Sequence, residues 1–271
     1  IATQPVTLEI AAAVLRPPQR DSGKPQGEAG LRLAINPWKG VMTNGATGTS
    51  VQPASVAVSG NLRDFTVPEM SLNPQASADL TVAQIAVDAM IPVIPVIHGR
   101  KDNALTVHGE FVTGQGGIGD LYSSLTGGIG FPSLPLNGVQ GAAYPQNVDN
   151  GMVTFDGQGN LKAIQWTTFL LGLQYVLPFT GGRGILAGNY SHIESNNIDQ
   201  FTQSTTPNPT VLTFASDRAV IKEADLFDVD LFADVFTGVR VGVEGAFYRE
   251  RYVDGILAKD TRVQAAGIFS F

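Results

Sequence analysis

The final strand-length segment, residues 261–271, alternates between two kinds of position. Its odd positions are mostly small or apolar and end on Phe271, whereas its even positions include Arg262 and Gln264. Because successive side chains of a β-strand point to opposite faces, this pattern predicts a strand with one apolar and one more polar face. A chain that repeats such strands has to place a whole apolar sheet face against something other than water.

The same period-two alternation, bounded by turn-forming residues, recurs along the chain and predicts about ten strands. These cover residues 3–15, 29–38, 51–63, 77–96, 103–114, 161–178, 184–196, 218–235, 238–252 and 259–271. Short connectors at 98–102, 179–183 and 237 alternate with longer ones at 16–28, 64–76, 115–160 and 197–217. Segment 39–50 is the exception, because it is long for a position where a short turn is expected.

Several predicted strands carry acids on the face opposite their apolar residues. In residues 227–235, Phe227, Val229 and Leu231 alternate with Asp228 and Asp230. A soluble β-sandwich remains an alternative, but its strands would repeatedly have to turn an apolar face to water or bury both faces.

Composition favours a membrane environment for the apolar face. The chain is 43% hydrophobic and only 15% charged, against about 25% charged residues in ordinary soluble domains. Its most apolar stretches, 91–97 and 169–177, are far shorter than the roughly 20 residues of a spanning helix. A strand crosses hydrocarbon in about 9–11 residues, and closure of the sheet satisfies every backbone group.

The sequence therefore predicts an all-β fold, an antiparallel transmembrane β-barrel of about 10–16 strands, of which about ten are countable. We expect a single domain over residues 1–271 with long extracellular loops and short periplasmic turns. Ten is an even number, which places both termini in the periplasm. The chain has no cysteine, no initiator Met and no signal peptide. It is thus either a matured exported protein or a fragment whose amino-terminal sequence is missing.

Three tracts resemble a known family. Residues 172–198, GLQYVLPFTGGRGILAGNYSHIESNNI, and 239–271, VRVGVEGAFYRERYVDGILAKDTRVQAAGIFSF, resemble the carboxyl-terminal strands of large bacterial porins, including the phosphate-selective-porin-like group. Residues 103–132 resemble a strand leading into a long loop of such barrels. The resemblance implies a bacterial outer-membrane porin that passively admits small hydrophilic solutes. It also implies outer-membrane lipids as neighbours, and a homo-oligomer, often a trimer, or other outer-membrane proteins as partners.

The alternation assigns ten side chains to the inside of the barrel as pore-lining residues. They are Asp88, His108, Glu110, Asp228, Asp230, Asp234, Arg240, Glu244, Arg262 and Gln264. Loop 115–160 holds further acids, and if it folds into the lumen, Asp120, Tyr122, Asp149 and Asp156 form a constriction. Charged rings select ions of opposite sign, so this excess of carboxylates predicts weak cation preference or no selectivity. Alternatively, the carboxylates pair with arginines across the wall and stiffen the barrel.

Other functions are less well supported. Ser191 and His192 occupy adjacent strand positions and so point to opposite faces, which argues against a lipid hydrolase, and we expect no enzyme activity. The glycine pattern from Gly114 to Gly119 lacks the βαβ context of a dinucleotide site, so no cofactor is predicted. Asp228, Asp230 and Asp234 lie along a strand without a wrapping loop, so no metal is predicted. The net charge of −7 disfavours nucleic-acid binding. The open alternative is a plugged structural or receptor-type barrel that takes part in a protein assembly or surface interaction.

Overall fold

The structure is a computed structural model that describes residues 4–16, 23–44, 48–69, 75–116, 153–155, 160–200 and 221–269. Its elements are β1 (Val6–Leu15), β2 (Gln26–Asn44), β3 (Gly48–Pro68), β4 (Ser77–Ile94), β5 (Leu105–Gln115), β6 (Val153–Phe155), β7 (Leu161–Ala163), β8 (Gln165–Val176), β9 (Gly184–Ser195), β10 (Ile221–Phe236), β11 (Val239–Tyr252) and β12 (Leu257–Phe269). One turn of 3₁₀-helix covers Ile198–Gln200.

Ten of these strands form one antiparallel sheet in the order β1-β2-β3-β4-β5-β8-β9-β10-β11-β12. Each of the ten predicted segments overlaps one strand of this sheet, so the all-β fold and the up-and-down antiparallel order of the ten strands are confirmed. Within the described residues, the short strands β6 and β7 pair with each other and with no strand of the ten-stranded sheet; both lie in the long connector between β5 and β8.

Consecutive connectors alternate between two ends of the sheet. The turn end carries the connectors 45–47, 95–104, 177–183 and 237–238, whereas the loop end carries 16–25, 69–76, 116–164, 196–220 and 253–256. The β10–β11 turn consists of Thr237 and Gly238, one residue longer than predicted. Gly238 has φ +79°, a left-handed conformation that a residue without a Cβ adopts freely.

The expectation of a long turn at 39–50 is wrong. β2 runs to Asn44 and β3 begins at Gly48, so most of this segment is a paired ladder rather than a turn. The ladder is interrupted where Ile35 pairs with Ala54 and Lys39 pairs with Pro53, leaving residues 36–38 as a bulge. Pro37 lacks the N–H that a ladder requires, which explains the break at this point.

The two faces of the sheet have opposite character. On what we call the outer face, large apolar side chains are exposed, including Leu171 (55%), Leu231 (50%) and Val243 (53%). The other face, here called the polar face, carries charged and hydrogen-bonding residues and most of the buried side chains. Strand after strand thus turns its hydrophobic side away from the interior, the arrangement of a barrel wall in lipid.

No helix in the described part of the chain has the length and apolarity that crossing a membrane demands.

The sheet has two edges, β1 and β12. Within the described residues, neither strand has a partner on its outward edge, and both strands are largely exposed along both faces. An unpaired edge presents a row of backbone N–H and C=O groups, which hydrocarbon cannot satisfy.

Candidate functional site

The polar face collects all ten side chains that the alternation assigns to the inside. Strand register shows this, because residues paired across antiparallel neighbours share a face. Asp88 pairs with Glu110, His108 with Gly172, Asp228 with Ala246, Asp230 with Glu244, Asp234 with Arg240, Ala246 with Arg262, and Glu244 with Gln264. Whether these residues line a pore stays a prediction. The four loop residues Asp120, Tyr122, Asp149 and Asp156 lie outside the described residues.

One group of carboxylates faces other carboxylates. Asp88 on β4 lies opposite Glu110 on β5, and Asp230 on β10 lies opposite Glu244 on β11. Asp228, two positions from Asp230 on the same face, accepts a hydrogen bond of 2.7 Å from the Asn189 side chain. Like charges on neighbouring strands repel, so they create an acidic zone that favours cations nearby.

A second group pairs with arginine, as the stiffening alternative proposes. Glu9 lies 3.1 Å from Arg32, its register partner on β2. The Arg262 guanidinium lies 3.1 Å from Glu244. These pairs balance part of the negative charge, which leaves the polar face acidic but not uniformly so.

Arg240 forms the most elaborate of these pairs. Its Nε donates to Asp234 Oδ1 at 2.6 Å and its Nη2 to Asp234 Oδ2 at 2.9 Å, a two-point contact within one register pair. The same guanidinium donates to Thr43 Oγ1 at 2.8 Å and Thr49 Oγ1 at 2.9 Å. Arg240 is only 5% exposed, so its charge depends on these partners.

Thr43 and Thr49 belong to a feature that the sequence analysis missed. Residues 36–44 and 48–53, here named the inward hairpin, fold over the polar face at the turn end. Trp38 Nε1 donates to the Pro92 carbonyl of β4 at 2.7 Å. Thr106 Oγ1 of β5 accepts from the Val41 N–H at 2.9 Å. The signal that could have revealed this hairpin is Pro37 and Pro53 flanking a stretch in which β-type alternation continues.

Apolar side chains cover the polar face at the loop end. Val153 of β6 and Leu161 of β7 are buried against Phe65 and Val82 of β3 and β4. Trp166, Ile193, Ile198, Ile221 and neighbouring residues form a second buried cluster. The described end of the long connector therefore packs onto the polar face of the sheet, and entry of loop 115–160 into the lumen stays a prediction.

His108 sits beside a glycine that makes room for its ring. Gly172 is its register partner on β8, and a Cβ at Gly172 would collide with the His108 ring and the Asn189 side-chain oxygen. The absence of a side chain at position 172 therefore leaves the space that the His108 ring occupies on the polar face.

A charged cluster occupies the outer face at the loop end. His192 Nδ1 and Tyr190 Oη lie 3.0 and 2.5 Å from Asp225, and Arg249 lies 2.6 Å from Asp225 and 2.8 Å from Glu223. His192, Glu223 and Asp225 bring potential metal-ligand atoms within 4.8 Å of one another, but the guanidinium already supplies the positive charge between the two carboxylates.

The two faces of β9 also separate the serine and the histidine that a lipid hydrolase would need. His192 pairs with the outward-facing Phe169, whereas Ser191 pairs with Leu170 on the polar face. The sheet therefore separates the serine hydroxyl from the imidazole, and a Ser–His pair does not form at these two positions.

Comparison with known proteins adds one likeness. No family model matches the chain, and no curated protein matches it. Among solved structures, the chain is similar to the crystal structure of the outer membrane channel DcaP of Acinetobacter baumannii, with 15% sequence identity and a TM-score of 0.47. The aligned region covers 91% of this chain and 62% of that chain, so the present sequence spans less than two thirds of that protein's length.

Proposed function

We propose that this chain forms the wall of a bacterial outer-membrane porin, a passive diffusion channel for small hydrophilic solutes or ions. The observation that carries the proposal is the two-sided sheet, apolar and exposed outside, charged and hydrogen-bonded inside. Water-soluble sheets bury their apolar face, whereas barrel walls turn it towards lipid.

The height of the apolar band fits a membrane. On the outer face of β10, apolar residues run from Phe227 to Phe236, and the charged Glu223 and Asp225 precede them. Nine residue steps at about 3.3 Å each give roughly 30 Å along the strand, or roughly 23 Å at a tilt of about 40°. A transmembrane barrel presents an apolar band of about 25 Å. The charged cluster then lies at one membrane boundary.

Ion preference follows from the acidic zone. The grouped carboxylates at Asp88, Glu110, Asp228 and Asp230 attract cations, while Arg240 and Arg262 offset part of their charge. The channel is therefore weakly cation-preferring or non-selective, and it is not a strongly basic phosphate channel. We further propose that the turn end and the carboxyl terminus face the periplasm, in line with short periplasmic turns. We also propose that outer-membrane lipids surround the wall and that its protein partners are further copies of the chain, as in a trimer, or other outer-membrane proteins, as the porin resemblance implies.

A second candidate is supported by the two inward-folded segments. The inward hairpin at the turn end and the β6–β7 hairpin at the loop end both occupy the polar face, which is what a plugged structural or receptor-type barrel requires. Such a barrel takes part in an assembly or surface interaction and passes no solute.

Liposome swelling separates the two candidates. Vesicles that contain the folded protein are diluted into isotonic solutions of sugars of increasing size, with protein-free vesicles as the control. A channel gives swelling that slows as the sugar grows. Folded protein that gives no swelling with the smallest sugar overturns the channel and supports the plugged barrel.

A further inference from the structure

We propose that the inward hairpin is the size-limiting constriction of the channel and that Arg240 is the positioning residue that holds it. This inference rests on the proposed function and deepens it, because it separates the element that limits solute size from the residues that set ion preference.

The hairpin leaves the wall at a defined point. Up to Ile35, β2 follows the ladder with β1 and β3, and after the bulge at 36–38 it resumes pairing with β3 alone. From Lys39 onward the two strands form their own ladder, and the Lys39 carbonyl accepts from the Val96 N–H of the turn end at 2.8 Å. The segment is thus an ordered two-stranded element anchored beside the wall strands.

Side chains from several wall strands converge on the hairpin. Gln174 of β8 accepts from the Thr43 N–H at 2.6 Å, in addition to the bond that Thr106 of β5 makes to Val41. Val41 itself is fully buried against Ala104, Val176 and Ile185. Residues of β5, β8 and β9 therefore all contact Val41 or Thr43, as expected where a sheet curves around an inserted element.

Close packing at Gly40 shows how tightly the hairpin is seated. A Cβ at this position would lie 2.5 Å from Thr106 Oγ1 and 3.0 Å from side-chain atoms of Met90 and Pro92. Only a residue without a side chain fits such an approach, so the hairpin meets the wall over its backbone.

Arg240 reaches the hairpin from the far side. It comes from β11, 197 and 191 residues away from Thr43 and Thr49 in the chain. Asp234 fixes two of its nitrogens, which leaves the fork aimed at the two threonine hydroxyls. A lysine would present a point charge instead of a planar fork, so it would not reproduce this geometry.

Beyond Lys39, the hairpin limits solute size without adding charge. Residues 40–52 contain no Asp, Glu, Lys or Arg, and Ser50 and Gln52 are exposed on it. Solutes that pass it therefore meet uncharged hydrogen-bonding groups. Shortening the hairpin is expected to widen the channel while leaving the sign of the ion preference unchanged.

The docked state is tested first, through unique thiols. The chain has no cysteine, so Val41→Cys and the exposed Ser50→Cys each introduce one reporter on the same hairpin. With a hydrophilic maleimide, Ser50→Cys should react many times faster than Val41→Cys. Adding Arg240→Gln to Val41→Cys should speed its labelling severalfold. Equal rates for the two single variants, or no change with Arg240→Gln, overturn the proposal.

The second arm measures conductance in planar bilayers. In the first variant, residues 43–49 are replaced by a two-residue Asn-Gly turn. In the second variant, Gly40→Ala undocks the hairpin by steric collision while the chain keeps its full length, so the test does not depend on the shortened chain folding correctly. Gly27→Ala, where a Cβ meets nothing within 4 Å, is the matched control. Both hairpin variants should conduct severalfold more than wild type at an unchanged sign of reversal potential.

The outcomes separate this inference from the proposed function. Equal conductance in wild type and variants overturns the constriction and leaves the channel standing. A silent wild type with conducting variants supports the hairpin as the closing element and overturns the open channel. Silence from every folded variant overturns both.

Discussion

Single residues on the polar face play two different roles. Asp234 and Arg240 form a mostly buried pair that also ties the inward hairpin to the wall, whereas Asp88, Glu110 and Asp230 face other carboxylates. The alternation in the sequence was sufficient to place these side chains on one face. It could not distinguish paired from grouped acids, because that distinction depends on which strands become neighbours and in what register.

Replacing Asp234 with Asn removes the counter-charge of a guanidinium that is only 5% exposed. The free energy of unfolding should fall by about 2–3 kcal/mol, since hydrogen bonds to a buried charge are lost. Glu9→Gln, which breaks the more exposed pair with Arg32, should cost less than about 1 kcal/mol. Urea unfolding in lipid vesicles measures both, and similar losses in the two variants would contradict the role assigned to Arg240.

Gly172→Ala tests the seat of His108. The new methyl group collides with the imidazole and the Asn189 amide, and overpacking of this kind typically costs about 1–3 kcal/mol. Gly245→Ala on β11 meets nothing within 4 Å and should be neutral or stabilising by up to about 1 kcal/mol. The same unfolding assay applies, and a neutral Gly172→Ala would show that His108 does not lie over this glycine.

Among the elements, the wall strands and the inward hairpin differ in how far the sequence predicts them. Each wall strand carries its own local alternation of apolar and polar residues, so the sequence predicts all ten. The hairpin was not, because its docking depends on contacts between residues nearly 200 positions apart, such as Arg240 with Thr43. Its alternating stretch is short, and residues 40–52 carry no charged side chain, so the local pattern alone does not distinguish a docked hairpin from a connector.

The outer face of β10 allows a test of the membrane environment by depth. Leu231 lies in the middle of the apolar band and Val235 near its turn end. Leu231→Arg should destabilise the folded protein in vesicles by about 2–4 kcal/mol, and Val235→Arg by about 0–1 kcal/mol, because the cost falls towards the interface. In a water-facing sheet both exposed positions would tolerate arginine equally, so equal small effects would contradict the lipid-facing assignment.

At the scale of the whole molecule, the open edges of β1 and β12 constrain the assembly. Hydrocarbon leaves no alternative partner for their backbone groups, so a spanning sheet has to close. In an up-and-down order, β1 and β12 either pair with each other or are separated by an even number of further strands. Sequence patterning counts the strands within these residues, but it does not determine how the edges meet.

Closure predicts slow hydrogen exchange along both edges. The outward amides of Ile10 on β1 and Val263 on β12 should be protected in the membrane-embedded protein as strongly as amides within β8 and β9, since each needs a hydrogen-bond acceptor. Exchange measured by mass spectrometry in lipid nanodiscs reports this. Fast exchange at both edges, with the central strands protected, would mean that the sheet remains open and does not span hydrocarbon.

The most direct measurement is single-channel recording of the purified, folded protein in planar bilayers under a potassium chloride gradient. A porin with an acidic interior gives stable conductance steps, and the reversal potential is near zero or of the sign set by cations. Steps with clear anion preference would show that the carboxylates of the polar face do not govern the pore. Lasting silence from folded, inserted protein would contradict the channel itself.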